Sequence, residues 1–307
     1  MTEVTPGLVS IIIPTYKRSG ILRAVNSVLT QDYEKLEVIV VDDNADFPEF
    51  RELVRNELSE YIAEKKITLI QNTKNLGGAL ARNEGILASH GEYIAFLDDD
   101  DWYLQGKIKN QVRRLRETNA DIVYCWSRGE DRHGNIIWEN RKEKEGNLLV
   151  EAMTECIANT SLIMCRREAI FKVGLFEDMP CKQDVYLELK LAIAGVSFVC
   201  VREMLVVYGN SDADFQRISN VSPKTLIAMN KVRELARTQY TRLTSQQIDF
   251  VEGDTAYKLC NIARTIGDRA TYKQEYRTAF KYVHSVKKRM KLLYHLIMWE
   301  GEKGKNV

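Results

Sequence analysis

The chain has 307 residues, of which 45% are hydrophobic and 28% charged, and its net charge is +1. That length suits one large α/β domain with an appendage or two average domains, and the composition excludes wholesale disorder. A near-neutral balance gives no global attraction to nucleic acid, and no run reaches the roughly 18 apolar residues of a membrane span. Residues 1–6 carry no basic region leading into an apolar core, and the six cysteines (125, 156, 165, 181, 200 and 260) include no Cys-x-x-Cys pair. The expectation is a cytoplasmic protein with reduced thiols.

In chain order, residues 9–13 are an apolar, β-branched run stopped by Pro14. Ile21, Leu22, Val25, Val28 and Leu29 then recur at helical spacing. A second buried strand spans 38–41 and ends in Asp42, Asp43 and Asn44. A helix over 48–61, a strand over 67–70 and a small-residue helix over 78–88 follow. Residues 93–97 predict a fourth strand, ended by Asp98, Asp99, Asp100 and Asp101. Ile108, Val112 and Leu115 mark a helix, and 122–126 a fifth strand. Runs apolar on both faces, each followed by a helix, imply an α/β fold with a mostly parallel central sheet covered by helices. Beyond 126 the pattern loosens to a hairpin turn at 131–135, a helix carrying Val185, Leu189, Ala192 and Ile193, and a strand over 198–201. After Ser222-Pro223 the chain reads as a helical appendage through 301.

Ligands of such sheets sit outside the carboxyl ends of the strands, where this sequence concentrates its polar residues. Four adjacent carboxylates repel one another. A run that directly follows a buried strand and precedes Trp102 and Tyr103 is forced together, and a hard divalent cation offsets that repulsion. The alternative is a surface turn with capping aspartates. An EF-hand is excluded because Gly and Glu are missing at its sixth and twelfth positions. Asp43 reads as an acceptor for a ribose hydroxyl or base N–H, or as an Asx turn closing its strand. Neither Gly-x-x-x-x-Gly-Lys nor Gly-x-Gly-x-x-Gly follows the first strand. His90, His133, His284 and His295 form no metal pair. Trp126 and Trp138 read as core or hairpin residues, or as an aromatic platform for a sugar.

Five segments in order resemble the family-2 glycosyltransferases of GT-A fold, from Val9 to about Tyr208. They are Ile13-Pro14-Thr15-Tyr16-Lys17-Arg18, Val40-Val41-Asp42-Asp43-Asn44, Asn75-Leu76-Gly77-Gly78 with Ala81-Arg82-Asn83, Phe96-Leu97 with the four aspartates and Trp102, and Gly174-Leu175-Phe176-Glu177 with Asp184. The resemblance implies a GT-A domain over 1–221, with a nucleotide-binding half (1–126) and an acceptor-binding half (127–221), then a helical region over 222–307. It implies that Pro14, Thr15, Tyr16, Asp43, Asn75, Leu76, Gly77, Asp98 and Asp99 bind the nucleotide sugar. Asp98 and Asp100 would hold Mn2+ or Mg2+, with Asp184 as the general base. It further implies inverting transfer from a nucleoside diphosphate, by family UDP, to a saccharide or lipid-linked acceptor.

Three departures stand out. Gln183 replaces a common Glu, which removes a like charge beside Asp184. Lys17 replaces a frequent Asn with little expected consequence. Val206 to Asn210 lacks the usual Arg and His, leaving Arg217 as a substitute phosphate contact. A catalytically silent nucleotide-sugar-binding or scaffolding subunit and a nucleotidyltransferase are the competing functions.

Residues 271–307 carry nine basic and three acidic side chains, a net +6 that leaves −5 for the rest. Tyr276, Phe280, Val283, Met290, Tyr294, Ile297 and Met298 fall near one helical face. Such a helix lies on an anionic membrane, giving peripheral contact at the inner face of the cell membrane, or packs on the catalytic domain or a sister subunit of a homo-oligomer.

Overall fold

A computed structural model describes residues 3–131, 133–209 and 221–301. Its first elements alternate as the apolar runs require: β1 (Thr5–Thr15), α1 (Ile21–Leu29), β2 (Leu36–Asp42), α2 (Pro48–Ala63), β3 (Thr68–Gln71), α3 (Gly77–Ala88) and β4 (Gly91–Phe96). Each crossover contains a helix, so the four strands pair in parallel in the order β3-β2-β1-β4. Ile11, Ile12, Ile13, Val40, Val41 and Ile94 are wholly buried between the helical layers.

The second half differs from the expected parallel pattern. It comprises β5 (Trp102–Tyr103), α4 (Lys107–Thr118), β6 (Ile122–Glu130), β7 (Ile136–Asn140), α5 (Leu149–Thr154), β8 (Met164–Arg166), α6 (Arg167–Lys172), α7 (Gln183–Ile193) and β9 (Phe198–Gly209). The sheet continues β4-β8-β6-β9-β5, with β7 on β6. β8 runs antiparallel to β4 and β6, and β5 and β7 are also antiparallel additions. Strands of two or three residues carry no readable periodicity, which is why β5 and β8 escape the sequence pattern. β9 runs eight residues past its expected end because exposed Arg202 and Glu203 interrupt its apolar run without ending the strand. The hairpin turn is present: Asp131 accepts the N–H groups of His133 (2.8 Å) and Asn135 (2.9 Å).

The C-terminal helices are α8 (Pro223–Arg237), α9 (Ser245–Ile266), α10 (Arg269–Tyr282) and α11 (Val286–Gly301). Ser222 and Thr244 each form a capping box, and Pro223 occupies the first turn, where its missing N–H costs nothing. Ala228, Val232, Ala236 and Val251 join the main core, so the appendage is packed on the sheet domain. Farther out, Ala256, Cys260, Tyr272, Ala279 and Leu292 form a separate small core.

Candidate active site

The carboxyl ends of β1, β2 and β4 form one rim. At the end of β2, Asp43 is 2% exposed. Its Oδ1 accepts from Asn72 Nδ2 (2.7 Å) and Leu76 N (2.9 Å), and its Oδ2 from Gly77 N (2.8 Å). Asn75 Nδ2 donates to the Asp43 carbonyl (3.2 Å). The sequence offers this carboxylate either to a nucleoside or to an Asx turn. Here it pins the 75–77 turn, and through it the start of α3. Asp42, 0% exposed, anchors Asn44 and meets Arg51 at 3.2 Å.

The four aspartates after β4 alternate in direction, because Asp101 N donates to the Asp98 carbonyl (3.0 Å) and closes a tight turn. Asp99 faces inward: its Oδ2 accepts from Thr15 Oγ1 (2.7 Å) and Tyr16 N (3.3 Å). Burial pushes its carboxyl up to about 6, against the opposing pull of Arg18 and Thr15. Asp99 thereby ties the Asp turn to β1. Asp101 also faces inward, accepting from Ser161 Oγ (2.6 Å) and Gly209 N (3.3 Å). Burial, then the Asp98 charge, raises its carboxyl well above the usual range. Asp98 and Asp100 face outward and pair with Arg82 and Arg18 respectively. Ligand oxygens of Asp98, Asp100 and Asp101 lie within 4.8 Å of one another. Asp101 thus lies close to the two aspartates expected to hold the metal. Gly20 and Gly209 allow this packing, since a Cβ at either would collide with the Asp99 or Asp100 carbonyl oxygen.

Pro14 and Thr15 end β1 beside this turn. Tyr16 is 37% exposed, edge-to-face with Phe47 at 5.8 Å, and Lys17 Nζ lies 3.3 Å from the Phe47 ring centroid. Lys17 has φ +54°, a left-handed conformation that Asn tolerates and Lys adopts at a cost of about 1–2 kcal/mol. The substitution expected to matter little is therefore a strained one.

Asp184 occupies the first turn of α7. The cap position is Lys182, with φ +58° and no side-chain cap bond. Asp184 Oδ1 accepts from Val185 N (2.9 Å), and the Cys156 thiol donates to Oδ2 (3.6 Å). Burial, then Glu188 and Asp184, hold Cys156 well above the ordinary thiol range, so it remains a donor. Glu188, one turn on and wholly buried, accepts the N–H groups of Ile157 (2.8 Å) and Ala158 (2.6 Å). The carboxyl neighbour that Gln183 omits is thus supplied from one turn deeper. Burial and the Asp184 charge push the Glu188 carboxyl up.

Side chains link these clusters. Arg82, on α3, donates to the Gly78 carbonyl (2.9 Å) and pairs with Asp98. A Cβ at Gly78 would lie 3.2 Å from Gln183 Nε2, which sets the start of α7 against the start of α3. Asn83 and Phe176 exchange two hydrogen bonds (2.9 and 3.0 Å), fixing the 174–177 turn to α3. The loop of Asp43, the Asp cluster and the helix of Asp184 are thereby tied together. Arg18, Arg82 and Asp101 lie within the quoted motifs but were given no role there, and Glu188 lies one turn beyond Asp184. Asn210 and Arg217 lie outside the described residues.

This arrangement, a parallel half-sheet whose strand ends carry an aspartate turn, agrees with the comparisons. The description Glycosyl transferase family 2 matches residues 10–179, more than half of the chain, and the chain belongs to that family. Among its relatives, an uncharacterized glycosyltransferase of Rickettsia bellii is 32% identical over 199 residues, covering 62% of this chain and 27% of the relative. The chain thus spans about a quarter of that protein. The putative teichuronic acid biosynthesis glycosyltransferase TuaG of Bacillus subtilis is 26% identical over 82% of this chain and 93% of its own length. Residues 1–349 of S. aureus TarS in complex with UDP-GlcNAc superpose with a TM-score of 0.62 at 15% identity, covering 90% of this chain and 91% of that one. The mannosyltransferase PcManGT of Pyrobaculum calidifontis, in complex with GDP-Man and Mn2+, gives 0.58 at 19% identity, with coverage of 94% and 79%. These structural likenesses establish the GT-A fold.

Proposed function

We propose that the chain transfers a sugar, with inversion, from a nucleoside diphosphate donor to a hydroxyl of a saccharide or lipid-linked acceptor in surface polysaccharide or glycolipid synthesis. The observation that carries this reading is the convergence of the Asp98, Asp100 and Asp101 oxygens at the end of β4, tied through Arg82 and Gly78 to the start of α7. TarS bound to UDP-GlcNAc favours UDP as the donor nucleotide, and the relation to TuaG favours a surface polysaccharide.

Three carboxylates form a hard oxygen donor set that fits Mn2+ or Mg2+, and PcManGT was solved with Mn2+. Asp98, Asp100 and Asp101 would hold the ion, which supplies Lewis-acid neutralisation of the departing diphosphate. Arg18 and Arg82 flank the same carboxylates and carry guanidinium groups suited to phosphate oxygens. The 75–77 turn pinned by Asp43 borders the donor, with Tyr16 as an aromatic face beside it. Asp184, its second oxygen held by Cys156, takes the proton of the attacking hydroxyl. One base acting in a single displacement inverts the anomeric centre.

A lipid-linked acceptor brings the enzyme to the inner face of the membrane. On α11, Val286 (74% exposed), Met290 (60%), Tyr294 (58%) and Ile297 (58%) form a stripe opposite Leu292, which is 2% exposed and packs inward. Lys287 and Lys291 flank the stripe, and no described helix is long and apolar enough to cross a membrane. Such a face suits an anionic bilayer.

Thermal-shift titration with UDP, GDP and CMP, with and without Mn2+, tests the proposal, followed by mass-spectrometric detection of sugar-nucleotide hydrolysis. The expected result is Mn2+-dependent stabilisation by one nucleoside diphosphate and slow hydrolysis of its sugar conjugate. Absence of both refutes sugar transfer.

A further inference from the structure

Beside the Asp cluster, on β7, β6 and β9, the sheet presents an aromatic row that the chemistry above does not use. Register places Trp138 of β7 opposite Gly129 of β6, and Gly129 opposite Tyr208 of β9. Directly paired residues share one face of a sheet. Because Gly129 has no side chain, the Trp138 indole lies across it, and its centroid comes within 5.4 Å of the Tyr208 ring. Trp138 remains 41% exposed. Tyr208 Oη and Ser127 Oγ, the latter on the same face two residues before Gly129, are buried without hydrogen-bond partners.

Both ends of this row lead into the site. Gly209, adjacent to Tyr208, donates its N–H to Asp101 (3.3 Å). Lys142, just beyond β7, bonds the carbonyl of Cys156, whose thiol contacts Asp184. The row is thus linked through Gly209 to the Asp cluster and through Lys142 and Cys156 to Asp184.

We infer that Trp138 and Tyr208 form the subsite that holds the pyranose ring bearing the accepting hydroxyl; this rests on the sugar-transfer reading. One face of a pyranose is lined by C–H bonds and packs on an aromatic plane, while its rim carries hydroxyls that complete an unmet partner such as Tyr208 Oη. An acyl chain would cover the rings but leave that hydroxyl unmet. A nucleobase belongs with the pinned 75–77 turn, on the far side of β1, β4, β8 and β6.

Saturation-transfer NMR on the full chain with methyl β-glucopyranoside and methyl α-mannopyranoside, with UDP or GDP and Mn2+ present, tests the assignment. Transfer to the ring protons is expected in the wild type. It should fall about fivefold or more in Trp138→Ala and recover in Trp138→Phe. Gly129→Ala, which drives the indole off the sheet, should weaken it as well. Nucleotide-induced thermal shifts should stay constant in all three variants. Equal transfer in wild type and Trp138→Ala, or none in the wild type, overturns the subsite while leaving nucleotide binding intact. Failure of every nucleotide to bind the wild type sinks the sugar-transfer reading instead. If Trp138→Ala changes only the oligomeric state in light scattering, the β7 edge serves a second copy and the inference is wrong.

Discussion

Replacing Asp43 with Asn keeps the shape of the side chain and removes one acceptor oxygen together with the charge. The native carboxylate receives Asn72 Nδ2, Leu76 N and Gly77 N, all within 3.0 Å and almost closed to water. An Asn can accept on one side only, so its amide faces at least one N–H that has nowhere else to go. A hydrogen bond to a charged group contributes about 1.5–3 kcal/mol, and an orphaned buried donor costs about 1–3 kcal/mol. A net loss of about 2–4 kcal/mol follows, which for a chain of this size lowers Tm by about 3–6 °C. The loop that should border the donor loosens with it, so affinity for the stabilising nucleoside diphosphate should fall about tenfold or more. Differential scanning calorimetry and nucleotide titration read the two effects separately. An unchanged Tm with nucleotide binding abolished would refute the pinning role and make Asp43 a direct nucleoside ligand.

Asp184→Asn should leave nucleotide-induced thermal shifts intact while transfer falls by about 10²–10⁴-fold; unchanged turnover would remove it as the base. Lys17→Gly relieves the φ +54° strain and should stabilise the fold by up to about 1 kcal/mol, read by urea unfolding. A loss of stability would mean that the Lys17 contact with Phe47 outweighs the strain. Burial would raise the Glu252 carboxyl, but Arg237, Arg233 and Tyr240 outweigh it and hold it at about 2, below its ordinary 4.5. A depressed carboxyl contributes stability above its unfolded value and loses it as pH falls through the folded one. The stability gap between wild type and Glu252→Gln should therefore be full above about pH 5 and close towards pH 2. A gap that does not vary with pH would contradict the ion-pair account.

The sequence determined a great deal locally. Apolar runs over 9–13, 38–41 and 93–97 placed β1, β2 and β4, because a strand buried on both faces needs no partner to be recognised. Aspartates following such strands had to lie on one rim, and the order of motifs pointed to the family. Sequence could not say which way each aspartate turns. Asp99 and Asp101 face inward because Thr15, Ser161 and Gly209 reach them from elements 60 to 108 residues away, and that leaves Asp98 and Asp100 to face out. Asp43 became a structural pin because Asn72 and residues 76–77 fold back onto it. β8 and the Trp138–Tyr208 row depend on sheet register alone, which no single segment encodes. Local sequence sets which stretches must be buried and where charge collects. Only long-range packing decides which polar atoms are consumed in holding the fold and which are left for a ligand.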